Sequence, residues 1–428
     1  MNKSSCLRLV ALALVLALLP PALAGCLNRR LSADPKHECE YMAGKMKVKG
    51  PDGRLIDAHY DPETISRPSE DQIKLVEFTD EGELVDRCQW SDVLYEIRGA
   101  SEDKDPTSIP TFVLIYIHGW KHDASVDDED LASFRTMVET LRRNIRETTN
   151  VIGLFVAWPG LSGFTTLDQN LTFWSRKGAA DRVSIGGHLS KLLSSINSVR
   201  CQRNNSNDLV IAIGHSFGAR ILFSATSPIL LNEMQMSHPG RRGGKFAPFS
   251  GVADLTVLLN PAFEASRYSA INSSRRWQEQ FDKNQQPVLL SVSTSNDLAT
   301  KTAFPLGQML GSRWHSRERE TIGNYSDFVT HSLRPSKLEH VTNLEPKWWY
   351  DAFCHSDICL TRNLRDADQG NPFVVAQTDK SVVDGHNGIW GPHFNQWLTA
   401  FILRTRQGLM DKNVGHGICT RSPPAIRK

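Results

Sequence analysis

This chain has no surplus of either charge: its 428 residues carry 49 Lys and Arg against 47 Asp and Glu, with no long block of one sign. A balance of that kind gives no source for a nucleic-acid-binding stripe or a polybasic membrane surface. Internal repeats are absent too, which argues against solenoids and propellers. Cysteine is sparse, with eight in all. The tightest grouping of metal-ligand types, Cys354-His355-Cys359, lacks the second pair of ligands that a structural zinc site needs. No metal and no organic cofactor is expected.

What is present begins with a targeting segment. Lys3 and Arg8 precede the apolar run 9–19 and then Pro20-Pro21. That is the layout of a secretory signal, and the run is short of the roughly 20 residues of a membrane span. The run ends in Leu23-Ala24-Gly25-Cys26, which resembles a bacterial lipobox. The resemblance implies removal of residues 1–25 and lipid modification of Cys26. Leu27, standing where an Asp would favour inner-membrane retention, implies an outer-membrane anchor facing the periplasm. An ordinary secretory peptide with an incidental cysteine is the alternative. Loss of Lys3 and Arg8 leaves 47 basic against 47 acidic residues. Cys39, Cys88, Cys201, Cys354, Cys359 and Cys419 remain, an even number suited to disulfides in an oxidising compartment. Cys354 and Cys359 are near enough in sequence to close a small loop.

Residues 26–70, rich in polar residues, Pro and Gly, read as a tether and irregular structure. Residues 73–86 read as two short strands around Asp80-Glu81-Gly82, a hairpin that 92–100 would continue. Apolar strands follow at 111–120, ending in His118-Gly119-Trp120, and at 151–158, 209–213, 254–261, 287–294 and 372–378. Between them lie helical patterns. Leu131, Phe134, Met137, Val138, Leu141 and Ile145 mark one over 130–147. Val183, Leu189, Leu192, Leu193 and Ile196 mark another over 179–199, and 394–405 is a closing helix. Strands apolar at every position and alternating with helices predict an α/β fold, a mostly parallel sheet covered on both faces. Residues 300–371 show no clear period and hold Trp314, Tyr325, Phe328, Trp348, Trp349, Tyr350 and Phe353. So long a stretch is a candidate lid. Its aromatics would either wall a pocket or form a small core of their own.

The chain is organised around DLVIAIGHSFGAR, 208–220. An apolar strand runs into Gly214-His215-Ser216-Phe217-Gly218 and then into a helical pattern. A serine hydroxyl is a weak nucleophile at neutral pH and must be held where a base can reach it. A sharp strand-to-helix turn does this only if the residues two before and two after lack side chains.

With IYIHGW, GHSFGA, SNDLA and DGHNGIW in that order, the chain resembles the α/β-hydrolase superfamily over roughly 73–405. Within it the chain resembles bacterial lipoproteins and related hydrolases of unassigned substrate. The resemblance implies Ser216 as nucleophile, Asp297 as the acid and His386 as the base. It also implies an oxyanion hole from the backbone N–H groups of Phe217 and Trp120. His118 reads as structural. His393 is the rival base, while His331 and His340 fall inside the long insertion. Asp254 is a weaker rival acid, and Asp384 stands too close in sequence to reach the His386 ring. The expected activity is hydrolysis of a carboxylic ester or lipid-like substrate through an acyl-enzyme. Acyl transfer to an alcohol would use the same residues. A non-catalytic envelope lipoprotein that keeps the fold for binding is the alternative class.

Overall fold

A computed structural model of the chain describes residues 39–42, 45–49, 55–57, 73–98, 109–125, 127–145, 149–160, 173–203, 205–238, 247–277, 281–300, 304, 315–336, 348–363 and 370–411. The signal segment, Cys26, Trp314 and His340 lie outside the described residues.

Strands β1 (Cys39–Met42), β2 (Lys45–Lys49) and β3 (Leu55–Asp57) form a small antiparallel sheet in that order. Irregular structure was the expectation for this region. The sheet has its own signal, since Lys45-Met46-Lys47-Val48-Lys49 alternates with the two-residue period of a strand.

The remaining elements, in chain order, are β4 (Ile73–Glu77), α1 (Arg87–Arg98), β5 (Thr111–Ile117), α2 (Glu129–Asn144), β6 (Asn150–Ala157), α3 (Phe173–Ile185), α4 (His188–Arg203), β7 (Leu209–His215), α5 (Phe217–Met236), β8 (Leu255–Leu259), α6 (Ser269–Trp277), β9 (Leu289–Thr294), β10 (His331–Pro335), β11 (Ala352–His355), β12 (Ile358–Arg362), β13 (Phe373–Thr378) and α7 (Pro392–Asp411). Their strands make one 10-stranded sheet in the order β11-β12-β10-β13-β9-β8-β7-β5-β6-β4. Every neighbouring pair is parallel except β10–β12 and β11–β12. The fold is α/β with a mostly parallel mixed sheet.

β5 shows why the strands are apolar throughout. Val113, Ile115 and Ile117 join one core with residues of α1, α3, α4 and α5. Phe112, Leu114 and Tyr116 join the other with α2 and α7. Both faces are covered, so every position is buried. Each large apolar side chain so placed contributes about 1.5–3 kcal/mol over leaving it in water.

Four expectations need correction. Residues 92–100 do not extend a hairpin, because 87–98 is helix α1. Its buried Val93, Leu94 and Ile97 share one helical face, and Asp86 caps its start by accepting from the Cys88 N–H at 2.7 Å. The hairpin over 73–86 is reduced to a turn. β4 pairs in parallel with β6, and Phe78 and Leu84 form a single bridge. The helical pattern at 179–199 is two helices, broken at Gly186-Gly187, where Gly187 has φ 82°. Lastly, the described part of 300–371 is not a structureless loop: it holds strands as well as short helical turns. β10, β11 and β12 extend the central sheet past β13. Trp348, Trp349 and Phe353 pack with Trp397 and Phe401 of α7, and Tyr325 and Phe328 pack near Tyr268. Cys354 and Cys359 face each other across β11 and β12 as a disulfide.

Candidate active site

β7 delivers Ser216 at the end of a central strand, and α5 starts one residue later. Ser216 adopts φ 55° and ψ −117°, a backbone conformation that is costly for a residue with a Cβ. The surroundings enforce it. A Cβ on Gly214 would come to 2.7 Å from the Ala219 backbone, and one on Gly218 would overlap the carbonyl oxygens of Ile117 and His118. The two glycines let β7, α5 and the end of β5 meet at one point.

Asp297 stands three residues past β9, and His386 lies in the loop between β13 and α7. They meet Ser216 there. His386 Nε2 is 2.7 Å from Ser216 Oγ, and His386 Nδ1 is 2.6 Å from Asp297 Oδ2. Asp297 is fully buried. It also accepts from the N–H of Ala299 at 2.8 Å and of Thr300 at 3.2 Å, and from the Thr300 hydroxyl at 2.7 Å. It therefore caps the turn that follows and holds the imidazole at once. Burial pulls its pKa upward. The hydrogen bond and charge of His386, with the Thr300 bonds, outweigh that and keep the carboxyl below its ordinary value. An ionised carboxylate on Nδ1 selects the tautomer with a proton there. Nε2 is then left free of hydrogen, facing the hydroxyl, where it can take a proton.

The rivals stand elsewhere. His393 is exposed on the first turn of α7. His331 is buried in β10, with Nδ1 2.8 Å from the Thr330 hydroxyl. Asp254 pairs with Arg200 and accepts from the Val210 N–H at 2.8 Å, so it fastens α4 to the start of β7. Asp384 accepts from Asn296 at 2.9 Å.

Phe217 is the first residue of α5, where a backbone N–H has no partner within the helix and the helix dipole favours negative charge. The 118–120 turn crosses directly over the serine, since a Cβ on Gly119 would lie 3.0 Å from the Ser216 Cβ. Trp120 is thus brought beside Phe217, their rings 6.5 Å apart. His118 is part of the scaffold. It is fully buried and stacked between Phe155 and Trp158. Its Nε2 accepts the Trp158 N–H at 3.1 Å, so its proton sits on Nδ1, 2.9 Å from the Gly119 carbonyl. Burial lowers its pKa and keeps it neutral.

An aromatic cluster stands beside Trp120 and Phe217. Phe173 touches Trp120 at 5.6 Å, Phe217 at 5.2 Å and Phe304 at 6.5 Å, and the half-exposed Trp174 packs edge-on against it. Behind them a charge cluster ties α5 to α3. Arg220 binds both carboxylate oxygens of Asp181 at 2.8 Å and Glu264 at 2.8 Å, and Lys177 reaches Glu264 at 2.8 Å. Buried charges persist only when paired in this way.

Three further residues serve the site without a signal that stands out in sequence. Asp130 accepts from the Tyr116 hydroxyl and the Trp390 indole, both at 2.8 Å, which anchors the His386 loop to α2. His215 and Asn260 hold the backbone of that same loop.

No protein family, curated protein or solved structure matches this chain.

Proposed function

We propose that this chain is a serine hydrolase of the α/β-hydrolase superfamily that cleaves carboxylic esters. The observation that carries the reading is one imidazole bridging a strained, strand-end serine and a buried carboxylate. Ser216 Oγ attacks the ester carbonyl carbon while its proton passes to His386 Nε2. Asp297 holds the Nδ1–H and stabilises the imidazolium. The N–H groups of Phe217 and Trp120 receive the oxyanion, each worth about 3–4 kcal/mol in such a role. The tetrahedral species collapses, the carbon–oxygen bond to the leaving group breaks, and His386 returns the proton to the departing alkoxide. Water then repeats the sequence on the acyl-enzyme and frees the acid and Ser216. The aromatic cluster of Phe173, Trp174 and Phe304 beside Trp120 and Phe217 would suit an ester or lipid-like substrate.

The same reading places the protein in a bacterial envelope, anchored through lipid on Cys26 and facing the periplasm. Among the described residues no helix is long and apolar enough to cross a membrane.

A fluorophosphonate probe tests the chemistry. The purified protein should label and hydrolyse an ester panel graded by chain length, and Ser216→Ala should do neither. A wild type that does not react, or a Ser216→Ala protein that labels equally, rules the proposal out. For the anchor, an alkyne-tagged fatty acid fed to a bacterial host should mark the wild-type chain and not Cys26→Ala.

A further inference from the structure

The serine and the imidazole come from segments far apart in the chain, so something must set their register. The stretch 259–262 does so from one side. The Ser216 N–H donates to the Leu259 carbonyl at 3.0 Å, and the Ala262 N–H donates to the Ser216 carbonyl at 3.1 Å. The serine backbone is thus gripped on both sides by residues flanking Asn260.

Asn260 itself is buried, 1 % exposed, with φ 41°, a left-handed conformation that Asn tolerates better than most residues. Its side-chain Nδ2 donates to the His386 carbonyl at 2.8 Å and lies 3.3 Å from the Gly385 carbonyl. Its Oδ1 accepts the Thr294 N–H at 3.0 Å, at the end of β9, three residues before Asp297. A backbone N–H can only donate and a carbonyl can only accept, so these partners fix which way the amide points. Its side chain therefore touches the segments that carry His386 and Asp297, while the backbone of its neighbours Leu259 and Ala262 holds Ser216. The His386 carbonyl takes a second donor, His215 Nε2 at 3.0 Å, from the residue next to the nucleophile.

Resting on the serine-hydrolase reading, we infer that Asn260 is a positioning residue, holding the His386 backbone in register with Ser216 and the approach to Asp297. Few residues meet the requirement. Asp supplies the acceptor for Thr294 and turns a repelling oxygen toward the His386 carbonyl. Gln is a methylene too long, and an aliphatic residue leaves the Thr294 N–H without this acceptor and the His386 carbonyl with His215 alone. Because His215 still holds the loop, loss of Asn260 loosens the imidazole and does not release it.

The test is Asn260→Asp, the same size with the donor removed. It is compared with wild type for fluorophosphonate labelling rate, kcat and KM on a short-chain ester, unfolding midpoint, and the far-downfield NMR signal of the proton between His386 and Asp297. Labelling rate and kcat should fall together by roughly 10–100-fold, as a small misplacement of a catalytic group does, with KM nearly unchanged. The downfield proton should shift or broaden. A folded Asn260→Asp protein with wild-type kcat and labelling overturns the inference, as does a loss that falls wholly in KM. If Asn260→Asp does not fold, Asn260→Ser takes its place under the same criteria. If neither folds, Asn260 is structural and the inference fails. A wild type that neither labels nor hydrolyses brings down the hydrolase reading first. An active wild type beside an unaffected Asn260→Asp brings down this inference alone.

Discussion

Gly218 lies so close to Ile117 that a Cβ on the glycine would overlap the Ile117 carbonyl oxygen. The obstacle is backbone at the end of a central strand, which cannot turn aside as a side chain can. Gly218→Ala should therefore separate α5 from β5. The expected cost is about 3 kcal/mol, the upper end for overpacking. Activity should fall further than stability, because Phe217 and the 118–120 turn would part. Chemical denaturation beside fluorophosphonate labelling checks this; wild-type values in both would refute it.

Asp297→Asn separates orientation from structure. The amide oxygen can still accept from Ala299 and Thr300, so the turn should persist and the unfolding midpoint should move little. The amide cannot stabilise an imidazolium, and it permits the tautomer with the proton on Nε2. On the proposed mechanism a loss in kcat on the order of 10³–10⁴-fold is expected, as for the acid of serine triads. A loss under tenfold would remove Asp297 from the proposed mechanism.

Asp254 gives the opposite pattern. It is buried against Arg200 and the start of β7, away from the imidazole. Asp254→Ala leaves the buried Arg200 charge without this partner and should cost about 3–5 kcal/mol. The fraction that remains folded should react with a fluorophosphonate at the wild-type rate. A slower rate in folded protein would mean that Asp254 acts on the chemistry after all.

The residues of the site were legible because each follows a run whose character is set by burial. Ser216 and Asp297 sit at the ends of strands apolar on both faces, and His386 sits in a glycine-flanked loop before a helix with a clear apolar face. Strands at the far edge were not legible. His331–Pro335, between β12 and β13, is short and alternates between buried and part-exposed positions, and Ala352–His355 at the edge buries only Cys354. Such strands lack the continuous apolar signature that marks the centre of a parallel sheet. α1 was misread because Val93, Leu94, Tyr95 and Ile97 suit a strand as well as a helix, and the Asp86 cap decides between them. Asn260 was invisible for another reason. Its partners Gly385 and His386 come from a distant part of the chain, and nothing local distinguishes it from any asparagine ending a strand.

The Cys354–Cys359 disulfide closes a loop of sequence separation 5 between β11 and β12, at the far edge of the sheet from β4. A loop this short constrains little of the unfolded chain, so replacing both cysteines with alanine should cost about 2 kcal/mol. Ester hydrolysis at 25 °C should be unchanged. A drop in kcat with the midpoint preserved would show that this edge communicates with Ser216.

Acid should destabilise this fold through carboxylates that are ionised and partnered inside it. Burial pushes the pKa of Glu264 up, but the charges of Arg220 and Lys177 outweigh it and hold the group well below its ordinary value. Asp297 is lowered in the same sense. A group with a lower pKa folded than unfolded adds stability that is fully present above the unfolded value. That stability is lost as pH falls through the folded one. With unfolded values near ~4.3 for Glu and ~3.9 for Asp, the loss begins below about pH 5 and steepens toward lower pH. Above that window these two groups contribute no slope. The unfolding midpoint of wild type should therefore fall on acidification below about pH 5. Glu264→Gln should start lower, since Arg220 and Lys177 lose a charged partner, and should fall less steeply between about pH 5 and pH 3 because its own titration is gone. Parallel midpoint curves for the two proteins would show that the Glu264 cluster is not what acid attacks.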